Sequence, residues 1–322
     1  MEKLNEILSR LERKVVSSRV PEVSHSEDVS PKTRLLPDRH PNRDFFVADL
    51  LDWALKDDRH TMEHPMFSLS KKPDHRVRHY EHNGNTVTIK PGSDGLANIW
   101  DKDILIYAVS QLVEGLNQGR EIHRTVRITA YDLLVSTNRH TGGGDYEQLA
   151  SAFGRLSGTR IETNIATNGE RIRHGFGLLD EWRIIEKTPA SGRMVAVEIT
   201  LSRWLYNAVI AREILTLSRD YFRLGGGLER RLYELARKHC GQQAKWTISM
   251  ELLQKKSGSG DLLKRFRAAV KRLVVTDSLP DYRMHHDPES DNVTFYTKNP
   301  KKLAESLAKT EAPYGLQRPM NE

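Results

Sequence analysis

Cysteine and long apolar runs are almost missing from this chain of 322 residues. Its only cysteine, Cys240, has no partner for an internal disulfide, and no Cys/His cluster has the spacing of a zinc site. No apolar stretch approaches the ~18 residues of a membrane span, and the charged start MEKLNEILSRLERKVV is unlike a signal peptide. These absences exclude a disulfide or zinc scaffold and predict a cytoplasmic protein.

Sequence motifs for nucleotide-driven or metal-dependent catalysis are missing as well. The glycines at 225–227 lack the lysine and hydroxyl residue that complete a phosphate-binding loop. A rolling-circle nickase needs two histidines one residue apart to hold a metal, whereas His79 and His82 are three apart and His285 and His286 are adjacent. We therefore predict no catalysis, no metal and no cofactor.

Positive charge, in contrast, is in excess. Lysine and arginine outnumber aspartate and glutamate by 50 to 43, which gives a net charge of +7 and a pI near 9.3. This balance favours an anionic partner. At about 100–200 residues per domain, the length predicts two domains, and the hydrophobic content of 38% suffices for two modest cores.

The first 43 residues differ in character from the rest of the chain. Leu4, Ile7, Leu8, Leu11 and Val15 form a narrow apolar stripe on an otherwise charged predicted helix. This stripe fits docking on its own chain, self-association or capture of another protein, and the sequence leaves the three open. Residues 18–43 carry four prolines and no periodicity, which predicts a flexible linker.

We predict a first folded domain over 44–224, a second over 225–299 and a tail over 300–322. The first domain is expected to begin with a helix from Phe45 to Leu55, followed by strands in HPMFSLS, RVRHYEH and NTVTIK and a helix in DKDILIYAVSQLVEGL. A strand and helix in TVRITAYDLLVSTN and a helix in DYEQLASAFGRLSG, capped by Asp145, are expected next. The domain is expected to end with a hairpin across Asn168-Gly169, a strand in MVAVEIT and a helix in SRWLYNAVIA. The second is expected to contain LERRLYELARKHCG and MELLQKKS as helices, KWTIS as a strand and a hairpin formed by DYRMHH and NVTFYTK.

Part of the first domain recurs in the second. ITAYDLL at 128–134 resembles ISMELL at 248–253, and each is followed by a glycine-rich loop and a helix. In those helices Leu149, Phe153 and Leu156 match Phe266, Val270 and Leu273 at identical spacing. The order of strand, helix, loop, helix and hairpin predicts an α+β protein with two tandem winged-helix (helix-turn-helix) domains and a helical N-terminal extension.

The helix predicted in GSGDLLKRFRAAVKRL, at 258–273, is strongly basic. Its apolar stripe is predicted from Leu262 through Phe266 and Ala269 to Leu273, and Ser259 or Asp261 is expected to cap its start. The cations fall outside the stripe. A helix of this kind is either a solvated face or a nucleic-acid contact, and its place as the second helix of a predicted helix-turn-helix favours DNA.

The same reasoning gives a set of predicted DNA contacts. Side chains on the second helix of each module and on a wing hairpin are expected to face base edges, phosphates or the minor groove. The predicted contacts are Tyr146, Gln148, Ser151 and Arg155 in the first module, Arg171, Arg173 and His174 on the hairpin after Asn168-Gly169, and Ser259, Lys264, Arg265, Arg267, Lys271 and Arg272 in the second module.

Four longer segments carry a family resemblance. HGFGLLDEWRIIEK, MVAVEITLSRWLYNAV, LSRDYFRLGGGLERRLYELARKHCG and HPMFSLSKK together resemble the plasmid replication initiator protein A family, over about 41–298. The resemblance implies two winged-helix domains that bind repeated double-stranded origin sequences (iterons), open an AT-rich segment and help to load the host replicative helicase, through the helicase or its loader. It also implies dimer contacts in the first domain, and hence a homodimer, with the main base readout in the second.

The sequence leaves a second function class open beside initiation. A transcriptional repressor that only occupies an operator would use the same modules, and autoregulation of copy number would combine both functions. Tandem non-identical modules suit direct repeats better than palindromes, which favours the initiator. A rolling-circle nickase is the third and weakest alternative.

Overall fold

The structure is a computed structural model that describes residues 35–41, 54–82, 84–164, 174–186, 194–241 and 243–304. The described residues all belong to one unit, which spans Thr33–Glu322. The predicted N-terminal helix lies outside the described residues, as does the predicted helix from Phe45 except for its last two positions. The resulting description therefore concerns the two predicted modules and the chain that joins them.

Eight helices and twelve strands are described. The helices are α1 Arg59–Glu63, α2 Lys102–Asn117, α3 Ala130–Ser136, α4 Gly143–Gly158, α5 Arg203–Ile210, α6 Gly227–Cys240, α7 Met250–Ser257 and α8 Leu263–Thr276, with a 3-10 turn at Arg219–Arg223. The strands are β1 Lys56–Asp58, β2 Arg78–His82, β3 Asn85–Lys90, β4 Thr125–Thr129, β5 Arg160–Thr163, β6 His174–Gly177, β7 Leu179–Glu186, β8 Met194–Leu201, β9 Ile214–Thr216, β10 Lys245–Ser249, β11 Tyr282–Asp287 and β12 Asn292–Thr297.

The predicted repeat is present in the topology. The first repeat, Thr125–Leu201, has a sheet of order β4-β8-β7, and the second repeat, Lys245–Thr297, has the order β10-β12-β11. Each central pair matches in register, because Ile128 lies opposite Val197 as Ile248 lies opposite Val293. All four of these side chains are buried. The two copies therefore share strand order, helix order and core positions.

An inserted hairpin corrects one of the predictions. Strands β5 and β6, which flank Asn168-Gly169, belong to a separate four-stranded sheet of order β2-β3-β5-β6. The hairpin that corresponds to β11–β12 is instead β7–β8, which pairs with β4 through β8. The hairpin predicted as the wing thus belongs to a different sheet, in which His174 begins β6, while Arg171 and Arg173 lie outside the described residues. The Asn-Gly signal marks a hairpin but does not reveal which sheet receives it.

The segment HPMFSLS is not a strand, contrary to the prediction. Its only ladder contact is an isolated bridge between Ser68 and Asn98, although Met66 and Phe67 are buried in the core. Pro65, the second residue of this segment, has no backbone N–H group and so cannot donate a hydrogen bond to a neighbouring strand. Met66 and Phe67 are therefore buried without sheet pairing.

Two hydrophobic cores hold the described chain together. The first core surrounds α2 and the first repeat, and the second surrounds α6 and the second repeat. The second core also contains Met62, Ile106, Tyr221 and Leu224, which precede the predicted domain boundary at 224/225. The predicted domain limits stay a prediction, but the two cores share the elements that lie between the repeats.

The starts of the two long repeat helices differ from the predicted caps. Helix α4 begins at Gly143 with Gly142 as its N-cap, so Asp145 lies in the first turn. Helix α8 begins at Leu263 with Leu262 as its N-cap, and the Leu262 side chain is 74% exposed. Neither Ser259 nor Asp261 caps α8, because the Ser259 hydroxyl accepts a hydrogen bond from the Asp261 amide within the preceding loop. Leu263, and not Leu262, packs against the second core.

Residues 35–41, inside the predicted linker, contact the folded chain. The Arg39 amide donates to Asn138 Oδ1 over 2.9 Å, and the Leu36 amide donates to the Arg223 carbonyl over 2.8 Å. Asn138 lies in the turn between α3 and α4 and has a positive φ of 56°. This part of the segment thus lies across the turn of the first repeat.

Candidate nucleic-acid interface

Helix α8 presents an exposed cationic face opposite its buried face. Phe266 and Val270 are completely buried, whereas Lys264, Arg265, Lys271 and Arg272 are exposed. The helix contains no acidic residue. Steps of three, four and seven residues place side chains near one another on a helix, so the four cations share one side. We name these four residues the α8 cationic face.

The fifth cation of α8 is already engaged. Arg267 donates two hydrogen bonds to the Asp291 carboxylate, at 2.9 and 2.7 Å, in a bidentate pair. These bonds from Arg267 lower the pKa of Asp291 to about 2, with a further contribution from His286. The Asp291 carbonyl also accepts from the Met250 amide at the start of α7. Arg267 therefore ties α8 to the β11–β12 turn.

Ser259 lies in the loop between α7 and α8. Its amide donates to Ser257 Oγ over 3.2 Å, and its hydroxyl lies 3.5 Å from Asp261 Oδ2. Gly258, just before it, ends α7 with a φ of +74°. Because a side chain there would come within 2.6 Å of the Pro65 Cβ atom, only glycine fits. The loop is therefore shaped by its own hydrogen bonds and by contact with the chain around Pro65.

The corresponding face of α4 is polar and carries no exposed cation among its described side chains. Gln148 and Ser151 are exposed together with Glu147, and the Ser151 hydroxyl donates to the Glu147 carbonyl over 3.1 Å. Tyr146 is half-buried and packs against the first core. Arg155 donates two hydrogen bonds of 2.7 Å to Asp101, which ties α4 to the start of α2.

The remaining predicted contacts lie around the inserted hairpin. Arg171 and Arg173 lie outside the described residues, and His174 begins β6 opposite Thr163. The structure thus brings together the four members of the α8 cationic face. Arg155 and Arg267 differ from them because each is held in an ion pair with an aspartate. The role of every predicted contact in DNA binding stays a prediction.

The sequence reasoning missed a buried ionic network between the repeats. Lys102 of α2 is 1% exposed, and its Nζ lies 2.6 Å from Asp57 Oδ2 and 2.9 Å from Glu234 Oε1. Burial would lower the pKa of Lys102, but the two carboxylates overcome this and raise it. Burial also raises the pKa of Asp57, against the influence of Lys102. The network joins β1 and α2 to α6.

Two neighbouring arginines of α6 extend this network. Arg230 and Arg231 are each 3% exposed, and Arg230 lies 2.6 Å from Asp103 of α2. Arg231 lies 3.1 Å from Glu234 and donates to four backbone carbonyls. Charged pairs three and four residues apart within a helix share a face, so the spacing of Arg230, Arg231 and Glu234 in LERRLYELARKHC is the signal that could have revealed this cluster.

The described residues contain no group of three or more His, Cys, Asp or Glu side chains placed to hold a metal ion. In the same part of the chain, no helix is both long and apolar enough to cross a membrane.

Comparisons with known proteins agree on one family. The family model described as RPA, replication initiator protein A, matches residues 56–284. A putative replication protein from Wigglesworthia glossinidia brevipalpis is 42% identical over 256 residues, which cover 79% of this chain and 93% of that protein.

Two solved structures share the fold. Both contain domains 2 and 3 of RctB, one as a selenomethionine derivative. The derivative has a TM-score of 0.57 at 10% identity and covers 75% of this chain and 99% of its own. The other has a TM-score of 0.52 at 11% identity and covers 76% and 99%. At these identities the similarity concerns the fold alone.

Proposed function

Because the chain belongs to the replication initiator protein A family and has a replication initiator role, we propose that it binds double-stranded origin DNA through two winged-helix units. The first and second repeats are these units, with α4 and α8 as the helices that approach the major groove. The α8 cationic face is the single observation that carries this proposal, since it is a dense positive surface, without an ion pair to any described residue, on the helix expected to meet DNA.

In this proposal the two repeats contribute differently to DNA binding. Lys264 and Arg265, near the start of α8, reach base edges, and Lys271 and Arg272 hold phosphates, because the N-terminal part of such a helix usually enters the groove. Gln148 and Ser151 of α4 contact bases or the backbone without adding charge. Arg155 and Arg267 act through the carboxylates they hold and position the two helices.

Family membership supports the wider role. We propose that the bound sequences are repeated origin elements, that binding opens an AT-rich segment, and that the protein recruits the host replicative helicase or its loader. A homodimer is part of the same proposal. The protein acts by binding and remodelling DNA, with no catalytic step and no cofactor of its own.

Selection from a random pool tests the DNA-binding proposal. The full chain is incubated with a pool of duplexes that contain 30 randomised base pairs, and bound duplexes are amplified, sequenced and measured by fluorescence anisotropy against an unselected duplex. We expect the parent to enrich one motif and to bind it at least about 10³-fold more tightly than the unselected duplex.

Two variants of equal charge make this test specific. The α8 variant carries Lys264→Ala, Arg265→Ala, Lys271→Ala and Arg272→Ala, and the distant control carries alanine at the exposed Lys72, Arg120, Arg203 and Lys301. We expect enrichment to be lost only in the α8 variant. Equal enrichment by both folded variants would refute the proposal that α8 carries the DNA contacts.

A further inference from the structure

One of the contacts that join the two repeats lies close to α8. Arg231 of α6 donates to the Lys256 carbonyl of α7 over 2.8 Å and to the α1 carbonyls of Met62 and Glu63 over 2.8 and 3.0 Å. One guanidinium thus holds the last turn of α7, just before the loop to α8, against the end of α1. Because the side chain is only 3% exposed, water does not replace these bonds.

Helix α1 also contacts the body that carries the first repeat, although its Met62 packs in the second core. It follows β1 directly, and Asp57 of β1 is bonded to Lys102 of α2. The His60 ring of α1 lies 5.6 Å from the ring of Trp204, a member of the first core. The path from α7 through Arg231 to α1 therefore reaches the first core through buried contacts.

A second contact supports the same junction. Gly258 lies against Pro65, and a Cβ atom at this position would meet the Pro65 Cβ atom at 2.6 Å. Lys238 and Lys256 also lie 3.3 and 3.8 Å from the Glu63 carboxylate. The turn between α7 and α8 therefore contacts the chain that precedes β2 at Gly258 and Pro65.

We infer that Arg231 is a positioning residue that sets the separation of the two DNA elements recognised by the protein. The inference rests on the proposed function, in which both repeats bind one duplex. Two sites on a rigid body engage one duplex together only at a matching spacing. One inserted base pair moves the second element by about 3.4 Å along the axis and about 34° around it.

Substitution of Arg231 by lysine tests this inference. Lysine keeps the charge beside Glu234, but its single ammonium cannot replace the planar fork that spans α1 and α7. The matched control is Arg78→Lys, because Arg78 is also largely buried and, among the described residues, its side chain bonds Asp74 and the Phe67 carbonyl in the first body. Gly258→Ala disturbs the same junction without changing an ion pair, and it serves if Arg231→Lys fails to fold.

The readout is the spacing between the two conserved blocks in duplexes selected from the random pool. We expect the parent and Arg78→Lys to select one spacing, and to bind about 10²-fold more weakly when one base pair is inserted. Arg231→Lys and Gly258→Ala should select the same two blocks at several spacings, with the insertion penalty reduced at least about tenfold.

The outcomes separate this inference from the proposed function. A folded Arg231→Lys or Gly258→Ala variant that keeps the parent's single spacing would overturn the inference, as would a parent that selects two blocks without a preferred spacing. A parent that selects no duplex would instead overturn the proposed function. A purely structural role of Arg231 would lower the melting temperature and leave the spacing preference unchanged.

Discussion

The second helices of the two repeats, α4 and α8, bury equivalent apolar faces, but their exposed faces carry different side chains. Leu149 and Phe153 in α4 and their counterparts Phe266 and Val270 in α8 are all completely buried. The exposed side of α8 carries four cations, whereas that of α4 carries Glu147, Gln148 and Ser151. The fold therefore constrains the inner face in both copies and leaves the outer face free to differ. This difference predicts that the electrostatic part of the proposed DNA binding lies in the second repeat.

The largest expected effect concerns the face that the repeats share. Phe153→Ala and Phe266→Ala should each lower the free energy of unfolding by about 3–5 kcal/mol, since each removes a fully buried ring. Leu262→Ala is the control and should change it by less than about 0.5 kcal/mol, because that side chain is exposed. Denaturant titration measures all three. A Phe266→Ala variant as stable as the parent would break the equivalence of the two helices.

The next effect concerns the face in which they differ. Arg265→Ala should weaken binding of the selected duplex by about 1–3 kcal/mol with little change on random DNA, as expected for a base contact. Lys271→Ala should weaken both, as expected for a phosphate contact. Gln148→Ala in α4 is the comparison and should leave random-DNA affinity unchanged. If Arg265→Ala weakened binding to both duplexes equally, its role would be a phosphate contact.

A third difference lies in the response to pH. Burial lowers the pKa of His64 and of His239 to about 4, and the His239 ring stacks on Trp246 of β10 at 4.4 Å. In the first repeat Val126 takes the place of Trp246, because Ile128 corresponds to Ile248. A histidine in the unfolded chain takes up a proton near pH 6.5, whereas these two folded histidines stay neutral until the pH approaches 4. Their contribution to the free energy of unfolding is therefore complete above pH 6.5 and is lost as the pH falls towards 4.

Unfolding should therefore cost about 1–2 kcal/mol less at pH 5 than at pH 7 for each of these histidines. Replacing His239 by phenylalanine keeps a ring against Trp246 and should remove the part of the pH-dependent loss of stability that His239 causes. His285→Phe, at an exposed position, should not change it. Denaturant midpoints at both pH values measure these changes. An unchanged pH response in His239→Phe would contradict the assignment of the pH dependence to His239.

The smallest expected effect concerns the tie between α8 and its hairpin. Asp291→Asn weakens the partner of Arg267, so hydrogen exchange in β12 should become faster while the global stability changes little. Asp287→Asn in the same turn is the control, because Asp287 bonds Ser290 and not Arg267. Equal exchange rates in both variants would indicate that the Arg267 pair does not hold the hairpin.

Local signals predicted most elements of the fold. Helix α7 and strands β3 and β10 match their predicted segments at both ends, since alternation, apolar periodicity and a serine N-cap are encoded within a few residues. The insertion of β5 and β6 was misassigned because β5 pairs with β3, far away in sequence. Strand order of this kind depends on long-range packing, which short patterns do not record.

Burial of charge was equally hard to predict. The cations of α8 and those of α6 look alike in sequence, yet Lys264 and Arg265 are exposed and Arg230 and Arg231 are buried. Their partners, Asp103 and the carbonyls of α1, lie more than a hundred residues away. Arg267 is predicted from the sequence to contact DNA. Its pairing with Asp291 depends on the position of the β11–β12 hairpin, which the sequence pattern of α8 does not specify.

The most direct test of the central claim is the salt dependence of binding. Parent, α8 variant and distant control are titrated with the selected duplex over a series of salt concentrations, and the logarithm of affinity is plotted against the logarithm of salt. Each lost phosphate contact lowers the slope by about 0.9. We predict a slope lower by about 2–4 in the α8 variant and unchanged in the distant control. Equal slopes in all three proteins would contradict the claim that α8 is the DNA-binding surface.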